Sequence, residues 1–293
     1  MQERFLSPRV LYYGPKYLHW QCCNGYATEN LPKMIPQASQ RVKFLKYTRQ
    51  NESNPLDSSF MIEFWHIWRD LLRTYWSSKL SYPSDSLVAI SGIMNDIEES
   101  TGRKSYWGLW VDYLPIDLLW ACGKPMTTSK LEQFPTWSWA SAMDGFLYFP
   151  YVVPGDSVGS VEVKVGQPNG FLALKSHLFS AKSLPDRVAK EDGSETVHTL
   201  VIGMDTTLPQ EASVVASIIV ESEVYGSIRR NQEFYASKSV GLLLTSSGQA
   251  KNQYRRVGYW QYSIYGPSED RLRIIQLKAD FYQGTEYQEI SLV

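Results

Sequence analysis

The sequence predicts an α+β protein with an N-terminal β-hairpin, a small helical middle region and a β-rich C-terminal half. Three observations support this class. Apolar and polar residues alternate near the N-terminus, apolar residues recur at three- and four-residue steps in the middle, and beyond Phe134 alternation returns in short runs separated by Gly, Pro, Asn and Asp. The expected boundaries are 1–23 for the hairpin region, 24–58 for a connecting segment, 59–133 for the helical region and 134–293 for the β-rich domain.

The hairpin is predicted from alternation on both sides of Gly14-Pro15, between Val10–Tyr13 and the residues that follow. One side carries Leu18, Trp20 and Cys22, and the other carries Tyr17, His19 and Gln21. We therefore expect a hairpin with one buried face. Residues 24–58 are rich in Asn, Pro, Gln and Ser without a steady period, which is typical of a long connection on the surface.

Two helices follow from the apolar spacing. The first is expected over Phe60–Trp76, with Asp57 or Ser58 as its N-cap, and its stripe comprises Met61, Phe64, Trp65, Trp68, Leu71, Leu72, Tyr75 and Trp76. The second is expected to begin after Pro83 and to end at Gly102, with a stripe of Leu87, Ile90, Ile93, Met94 and Ile97. A third, shorter helix is expected around Ile116–Cys122, after Pro115.

The C-terminal half reads as antiparallel strands that form a sandwich or an open-barrel-like unit. Val161, Val163 and Val165 alternate with charged residues, which is typical of a strand with one buried face. The nearly continuous apolar run Val214–Val220 predicts a central strand covered on both faces. Further strands are expected at Leu242–Leu244, Val257–Tyr262 and Leu272–Leu277.

Composition excludes several functional classes. The chain has 293 residues, 43% of them hydrophobic, which is ample for a core. Its 29 basic and 30 acidic residues nearly cancel, so no bulk field attracts nucleic acid or an anionic membrane. Its cysteines, Cys22, Cys23 and Cys122, are a poor basis for a disulfide framework. Because no N-terminal signal and no run of about 18 apolar residues is present, we expect a cytoplasmic protein without a membrane span.

The chemical motifs have structural explanations. Gly155–Gly159 matches G-x-S-x-G, but an alternating strand follows it where a nucleophile elbow requires a helix, so a turn is favoured. His19 and Cys22 resemble half of a zinc site, yet no second pair stands at ligand spacing. The neighbouring carboxylates Glu98 and Glu99 point about 100° apart on a helix and do not converge. We therefore predict no catalytic residue, no cofactor and no metal.

Six segments, in order along the chain, resemble the fungal heterokaryon-incompatibility (HET) family. Gln2-Glu3-Arg4 through Pro8-Arg9, followed by a hairpin that closes at Trp20-Gln21-Cys22, is similar to the last motif of the HET domain. Asp85-Ser86-Leu87-Val88-Ala89 and Gly92 resemble an Asp-x-Leu-x-Ala-x-x-Gly signature. Gly108-Leu109-Trp110, Leu118-Leu119-Trp120 and Pro135 through Ser141 resemble Gly-Leu-Trp, Leu-Leu-Trp and Pro-Ser-Trp-Ser-Trp-Ala-Ser segments, and Arg256-Val257-Gly258 resembles a later Arg-x-Gly turn.

The resemblance implies a region involved in self/non-self recognition and programmed cell death, with protein partners. The earlier motifs of the HET domain would precede Met1, so the resemblance implies a remnant of that domain and a non-catalytic regulatory or interaction role. The residues singled out by family motifs are Gln2, Glu3, Arg4, Arg9, Trp20, Asp85, Leu87, Gly92, Gly108, Trp110, Trp120, Trp137 and Trp139.

Two alternatives stay open at this point. Some HET domains are likened to folds that cleave NAD, so the chain could be a fragment of such an enzyme. The many aromatic residues of the β-rich half could instead form a platform for a carbohydrate or another small ligand. The alternation of Trp137 and Trp139 with Ser138 and Ala140 predicts a strand that joins the helical and β-rich halves.

Overall fold

The computed structural model describes residues 5–7, 9–22, 25–35, 58–78, 80–122, 132–142, 147–149, 162–166, 171–187, 196–208, 212–228 and 232–293. Within the chain, two compact units are distinguished, Met1–Ser105 and Tyr106–Val293. The predicted α+β class, with strands first, helices in the middle and a β-rich C-terminal half, is confirmed.

The first unit begins with a four-stranded antiparallel sheet in the order β1-β2-β3-β4. Its strands are β1 (Arg9–Tyr13), β2 (Leu18–Cys22), β3 (Gly25–Thr28) and β4 (Leu31–Ile35). The predicted hairpin is confirmed by the pairing of β1 with β2. Strands β3 and β4, however, lie in what was expected to be a connecting segment. All five side chains of β4 are exposed and the strand contains Pro32, so no alternation marked it in the sequence.

Two helices complete the first unit, α1 (Ser58–Trp76) and α2 (Val88–Thr101), and both were predicted. The aromatic and leucine stripe of α1 is buried from Phe64 to Trp76. Helix α2 ends at Gly102, whose left-handed φ of 70° lets its backbone N–H bond to the Glu98 carbonyl. Its buried residues Ile90, Ile93, Met94 and Ile97 are those that the spacing indicated.

The second unit begins with short elements. Strand β5 (Ser105–Tyr106) lies at the boundary, and β6 (Leu109–Trp110), β7 (Ala121–Cys122) and β8 (Leu147–Tyr148) follow, with 3₁₀ turns at Val111–Tyr113, Ile116–Leu118 and Trp139–Ala142. The helix predicted around Ile116–Cys122 is therefore wrong. The segment makes a single 3₁₀ turn and then becomes β7, and every residue from Ile116 to Cys122 is buried, so it has no solvent-facing stripe.

A seven-stranded sheet dominates the second unit. Its strands are β9 (Glu162–Gly166), β10 (Phe171–Ser180), β11 (Val197–Met204), β12 (Val214–Ile228), β13 (Gln232–Ser246), β14 (Gln253–Pro267) and β15 (Glu286–Leu292). The order is β11-β14-β13-β12-β10-β15, and β9 pairs with β10. Strand β15 also pairs in parallel with β14, at Gln253 opposite Ser291. Five strands thus form a closed ring, β10-β12-β13-β14-β15, and β11 is attached to its outside.

The core of this unit lies inside the ring and beneath α4 (Arg271–Phe281). The rings of Trp260, Phe281, Tyr262 and Phe179 pack together, with centroids 4.6–6.0 Å apart in the contacting pairs. Consecutive residues from Ala216 to Ile219 are buried, which confirms the expected strand covered on both faces. A further short helix, α3, spans Leu184–Arg187.

The strand predicted at Leu272–Leu277 is wrong, because these residues belong to α4. Ile274 and Phe281 are buried and lie seven positions apart, which is two helical turns, whereas Leu272 is exposed. The short apolar run alone does not distinguish the apolar spacing of a helix from that of a strand.

Candidate functional site

Four tryptophans of the family-like segments are buried in the second unit. Trp110, Trp120, Trp137 and Trp139, which we call the tryptophan cluster, are completely inaccessible to solvent. The indole N–H of Trp120 donates to the Trp137 carbonyl at 2.8 Å, and that of Trp139 donates to the Gly108 carbonyl at 2.8 Å. Segments far apart in the sequence are therefore joined by indole-to-backbone hydrogen bonds.

Gly108 is required for this packing. It has a φ of +88°, and a Cβ atom placed on it would lie 2.8 Å from the indole ring of Trp139. The Ser138 hydroxyl also donates to the Trp107 carbonyl at 2.7 Å. This bond joins the same two segments, Trp107-Gly108 and Ser138-Trp139. Gly108 thus serves a structural purpose, because no side chain fits where the ring lies.

The expected strand through Trp137 and Trp139 is wrong. These residues lie in a turn that continues into the 3₁₀ helix Trp139–Ala142, and Trp137, Ser138, Trp139 and Ala140 are all buried. The Ser138 hydroxyl accepts from the Ala140 N–H at 3.1 Å, and the Ser141 hydroxyl donates to the Ser138 carbonyl at 2.8 Å. Serine hydroxyls satisfy the backbone locally, so alternating residue types here do not reflect two faces of a strand.

A buried arginine of β14 lies against the tryptophan cluster. Arg256 is fully buried and donates through Nε to Asp205 Oδ2 at 2.9 Å, with both side chains inaccessible. Its terminal nitrogens donate to the carbonyls of Leu118 and Trp120, and its guanidinium carbon lies 3.5 Å from the centre of the Trp120 ring. Burial lowers the pKa of Arg256, and the Asp205 carboxylate opposes that shift.

Thr136 connects this arrangement to the ring of strands. Its hydroxyl accepts from the backbone N–H of Arg256 at 2.9 Å, and its own N–H and hydroxyl donate to the carbonyl of Val293. The Val293 N–H donates to the Tyr254 carbonyl at 3.0 Å. The Pro-Thr-Trp segment therefore holds β14 and the residue after β15 at the point where the ring closes.

The polar groups of this buried centre bind one another and the backbone. The Arg256 guanidinium donates to the Asp205 carboxylate and to two backbone carbonyls, and both charged side chains are inaccessible to solvent. Among the residues that the structure describes, no three His, Cys, Asp or Glu side chains are grouped so that they could hold a metal ion. The cluster positions the loops of the second unit.

Asp205 was missed by sequence reasoning, and Arg256 was noted only as part of a turn. Their pairing joins residues 51 positions apart, and the contact of Arg256 with Trp120 spans 136 positions. A lone Asp after a strand carries no local signal of such a partner. Only the position of Arg256 directly before the mostly apolar run Val257–Tyr262 hinted that its side chain is buried.

The remaining family-motif residues lie in the first unit. Gln2, Glu3 and Arg4 fall outside the described residues, as does the Gly155–Gly159 segment. Arg9 is exposed on β1. Because His19 and Cys22 are three positions apart on one strand, they lie on opposite faces and do not converge on a metal. The thiol of Cys22 instead contacts the Met34 sulfur at 3.9 Å.

The Asp-x-Leu signature forms the entry to α2. Asp85 is exposed in the 3₁₀ turn Pro83–Asp85, Leu87 is the N-cap residue and Gly92 lies half-buried within the helix. The buried hydroxyl of Tyr75 donates to the Ser86 carbonyl at 2.5 Å and ties α1 to this entry. Desolvation, with a smaller effect of Asp85, raises the pKa of Tyr75 to about 12.

The predicted buried face of the hairpin is exposed, which corrects the sequence expectation. Leu11 lies opposite Trp20 and Tyr13 lies opposite Leu18, and Met34 reaches the same face through its contact with Cys22. All five side chains, Leu11, Tyr13, Leu18, Trp20 and Met34, are exposed, Tyr13 to 83%. We call them the apolar face. Within the described residues, no other element of the first unit covers it.

Comparisons with family models, curated proteins and solved structures return no match to this chain. The described helices include none that is long and apolar enough to cross a membrane.

Proposed function

We propose that this chain is a non-catalytic regulatory and interaction region of a fungal heterokaryon-incompatibility protein, and that it acts by binding another protein through the apolar face of its N-terminal sheet. The observation that carries the proposal is the exposure of Leu11, Tyr13, Leu18, Trp20 and Met34 together on one side of a regular sheet.

An exposed face of this composition favours protein binding. Large apolar side chains scattered singly over a surface need no explanation, but a contiguous set marks an interaction site. Tyrosine and tryptophan supply large contact areas at low entropic cost and dominate interface energetics. Tyr13 and Trp20 lie on neighbouring strands of the face, so both would be buried by a single partner surface.

The tryptophan cluster supports the non-catalytic half of the proposal. The family-like residues Gly108, Trp110, Trp120, Trp137 and Trp139 are engaged in packing and in hydrogen bonds to backbone. Residues used in this way build a scaffold. The cleavage of NAD would have to rest on groups other than these.

The small-ligand alternative receives less support from the described aromatic residues. A platform for sugar stacking needs exposed, flat rings that share a groove. Trp260, Tyr235, Tyr259 and Tyr262 are buried in the seven-stranded sheet, and Phe281 packs against Trp260 and Tyr262. These rings are therefore unavailable for stacking on a ligand.

The proposal is tested by introducing a photo-cross-linking amino acid at Tyr13 in the full chain produced in fungal cells. We expect a cross-linked protein that disappears when Leu11 and Trp20 are both changed to serine. The matched control places the same cross-linker at Val88, an exposed apolar residue at the start of α2.

Two results would overturn the proposal. One is a cross-linking pattern at Tyr13 that is the same as at Val88 and insensitive to the serine substitutions. The other is release of nicotinamide from NAD by the purified chain at a rate well above that of buffer, since a turnover activity contradicts a non-catalytic role.

A further inference from the structure

Strand β11 is an edge strand of the seven-stranded sheet. All eight of its residues pair with β14, from Val197 opposite Tyr265 to Met204 opposite Gly258, and the register contains no bulge. Among the described strands, none pairs with its other side. The edge therefore presents a straight row of backbone donors and acceptors, which is a template for another strand.

This edge carries none of the usual protections. Natural edge strands are guarded by Lys, Pro, inward charges or bulges. Residues 197–204 read Val-His-Thr-Leu-Val-Ile-Gly-Met and include no Lys, Arg, Asp, Glu or Pro. Val197, Val201 and Ile202 are exposed to 45%, 37% and 46%. An unguarded apolar edge of this length is expected to be covered in the working protein.

We propose that β11 pairs in antiparallel fashion with β11 of a second copy of this chain, around a twofold axis that passes through Thr199 perpendicular to the sheet. The two seven-stranded sheets then become one continuous sheet across the dimer. This surface is distinct from the apolar face, so the inference goes beyond the proposed function and does not depend on it.

The strand is self-complementary in this register. Val197 lies opposite Val201 of the second copy, Thr199 lies opposite Thr199, and Val201 lies opposite Val197. Every pair on this face joins β-branched residues, which pack well across antiparallel strands, and facing threonines add a favourable contact. Tyr265 of β14, itself partly exposed beside Val197, extends the apolar surface that the second copy would meet.

The charge of the strand is compatible with pairing between two copies. Because residues 197–204 include no Lys, Arg, Asp or Glu, pairing of the strand with itself brings no like charges of these residue types together. His198, the titratable residue of the strand, points to the opposite face, where its Nδ1 lies 2.9 Å from the Tyr262 hydroxyl. The central position of Thr199 on the axis makes this residue the point at which the register can be tested.

The test uses charge reversal at the axis. Sedimentation velocity of the full chain should show a dimer whose fraction rises with concentration. Thr199→Lys and Thr199→Asp each place two like charges face to face at the axis, so each should weaken self-association by at least about tenfold. An equal mixture of the two variants pairs Lys with Asp and should restore the dimer.

The control applies the same substitution elsewhere, as Thr74→Lys on the exposed side of α1, and should leave the dimer unchanged. Trp20→Ser on the apolar face should leave it unchanged as well. Wild-type protein that stays monomeric at all concentrations would overturn the inference. The strand that pairs with β11 would then belong to another protein. A dimer insensitive to both Thr199 charges would also overturn it.

Discussion

The four-stranded sheet β1–β4 and the seven-stranded sheet β9–β15 share one sequence pattern and differ in what covers them. Both contain alternating strands, yet Trp20 is 38% exposed on β2 whereas Trp260 is completely buried on β14. In the second unit, the ring closure and α4 surround the inward side chains. Among the described residues of the first unit, the side chains on the face that the pattern marks as apolar are exposed. Alternation of apolar and polar residues thus specifies that a strand has an apolar face. What packs on that face is determined by residues far away in the sequence.

The largest effect is expected when the buried guanidinium of Arg256 is removed from the second unit. Arg256→Met deletes the partner of the buried Asp205 carboxylate and the donors to two carbonyls, so the free energy of unfolding should fall by about 3–5 kcal/mol. Urea denaturation monitored by tryptophan fluorescence measures this change.

A matched control lies next to it in the sequence. Arg255→Met removes an exposed guanidinium and should change the free energy of unfolding by no more than about 0.5 kcal/mol. Adding Asp205→Leu to Arg256→Met should restore part of the loss, since the lone buried charge is then gone. Equal stability of the Arg255 and Arg256 variants would contradict the assigned role.

Gly108→Ala tests the same unit with a smaller expected effect. The methyl group would meet the Trp139 ring at 2.8 Å on a backbone with positive φ, and we expect a loss of about 2–3 kcal/mol in the free energy of unfolding. Gly248→Ala separates the two causes, because Gly248 also has a positive φ but no atom within 4 Å of the added Cβ. Equal losses at both positions would mean that the ring contact is unimportant.

The helices of the first unit provide the next test. Tyr75→Phe removes the hydrogen bond to the Ser86 carbonyl and should cost about 1 kcal/mol. Since the pKa of Tyr75 is raised to about 12, its contribution is complete below the unfolded value of 10.0 and is lost as the pH rises through 12. The difference in stability between wild type and Tyr75→Phe should therefore shrink in that interval, as followed by denaturation at alkaline pH.

The exposed Tyr82 offers the control for that measurement. Tyr82→Phe should leave the free energy of unfolding unchanged at neutral pH, because its ring is largely in solvent. If Tyr82→Phe lowered the free energy of unfolding as much as Tyr75→Phe does, burial and hydrogen bonding of the Tyr75 hydroxyl would not explain the effect of Tyr75→Phe.

The smallest effect is expected on the N-terminal sheet. Trp20→Ser should change the free energy of unfolding by no more than about 0.5 kcal/mol, since the ring is already exposed. Thermal unfolding by circular dichroism compares it with Trp120→Ser, which removes a buried ring that packs on Arg256. A similar loss in both variants would mean that the apolar face is covered in the isolated chain.

Local patterns predicted much of the fold because they act within one element. The three- and four-residue spacing located α1 and α2, and Gly102 marked the end of α2 because its left-handed conformation favours glycine. The alternation in β1 and β2 fixed their pairing. These features need no information from distant parts of the chain.

The failures have one physical cause, which is tertiary context. The run Leu272–Leu277 packs on the ring as a helix, the Trp-Ser-Trp segment turns because serine hydroxyls satisfy its backbone, and Ile116–Cys122 is buried on all sides. The candidate residues of the second unit were found through their motifs, yet their common location around Arg256 and Asp205 could not be read from spacing. Contacts spanning 51 to 138 positions leave no local periodicity.

The closed ring also sets the order in which the second unit can be completed. Strand β10 needs β15 as its neighbour, and His177 of β10 bonds to Thr285, 108 residues further along the chain. At a synthesis rate of roughly 5–20 residues per second, β10 is made several seconds before its neighbour β15, and the side of β10 that pairs with β15 is unpaired during that time. Folding dominated by such distant pairings is slow, so this half of the molecule is the one most dependent on chaperones while the ribosome is still at work.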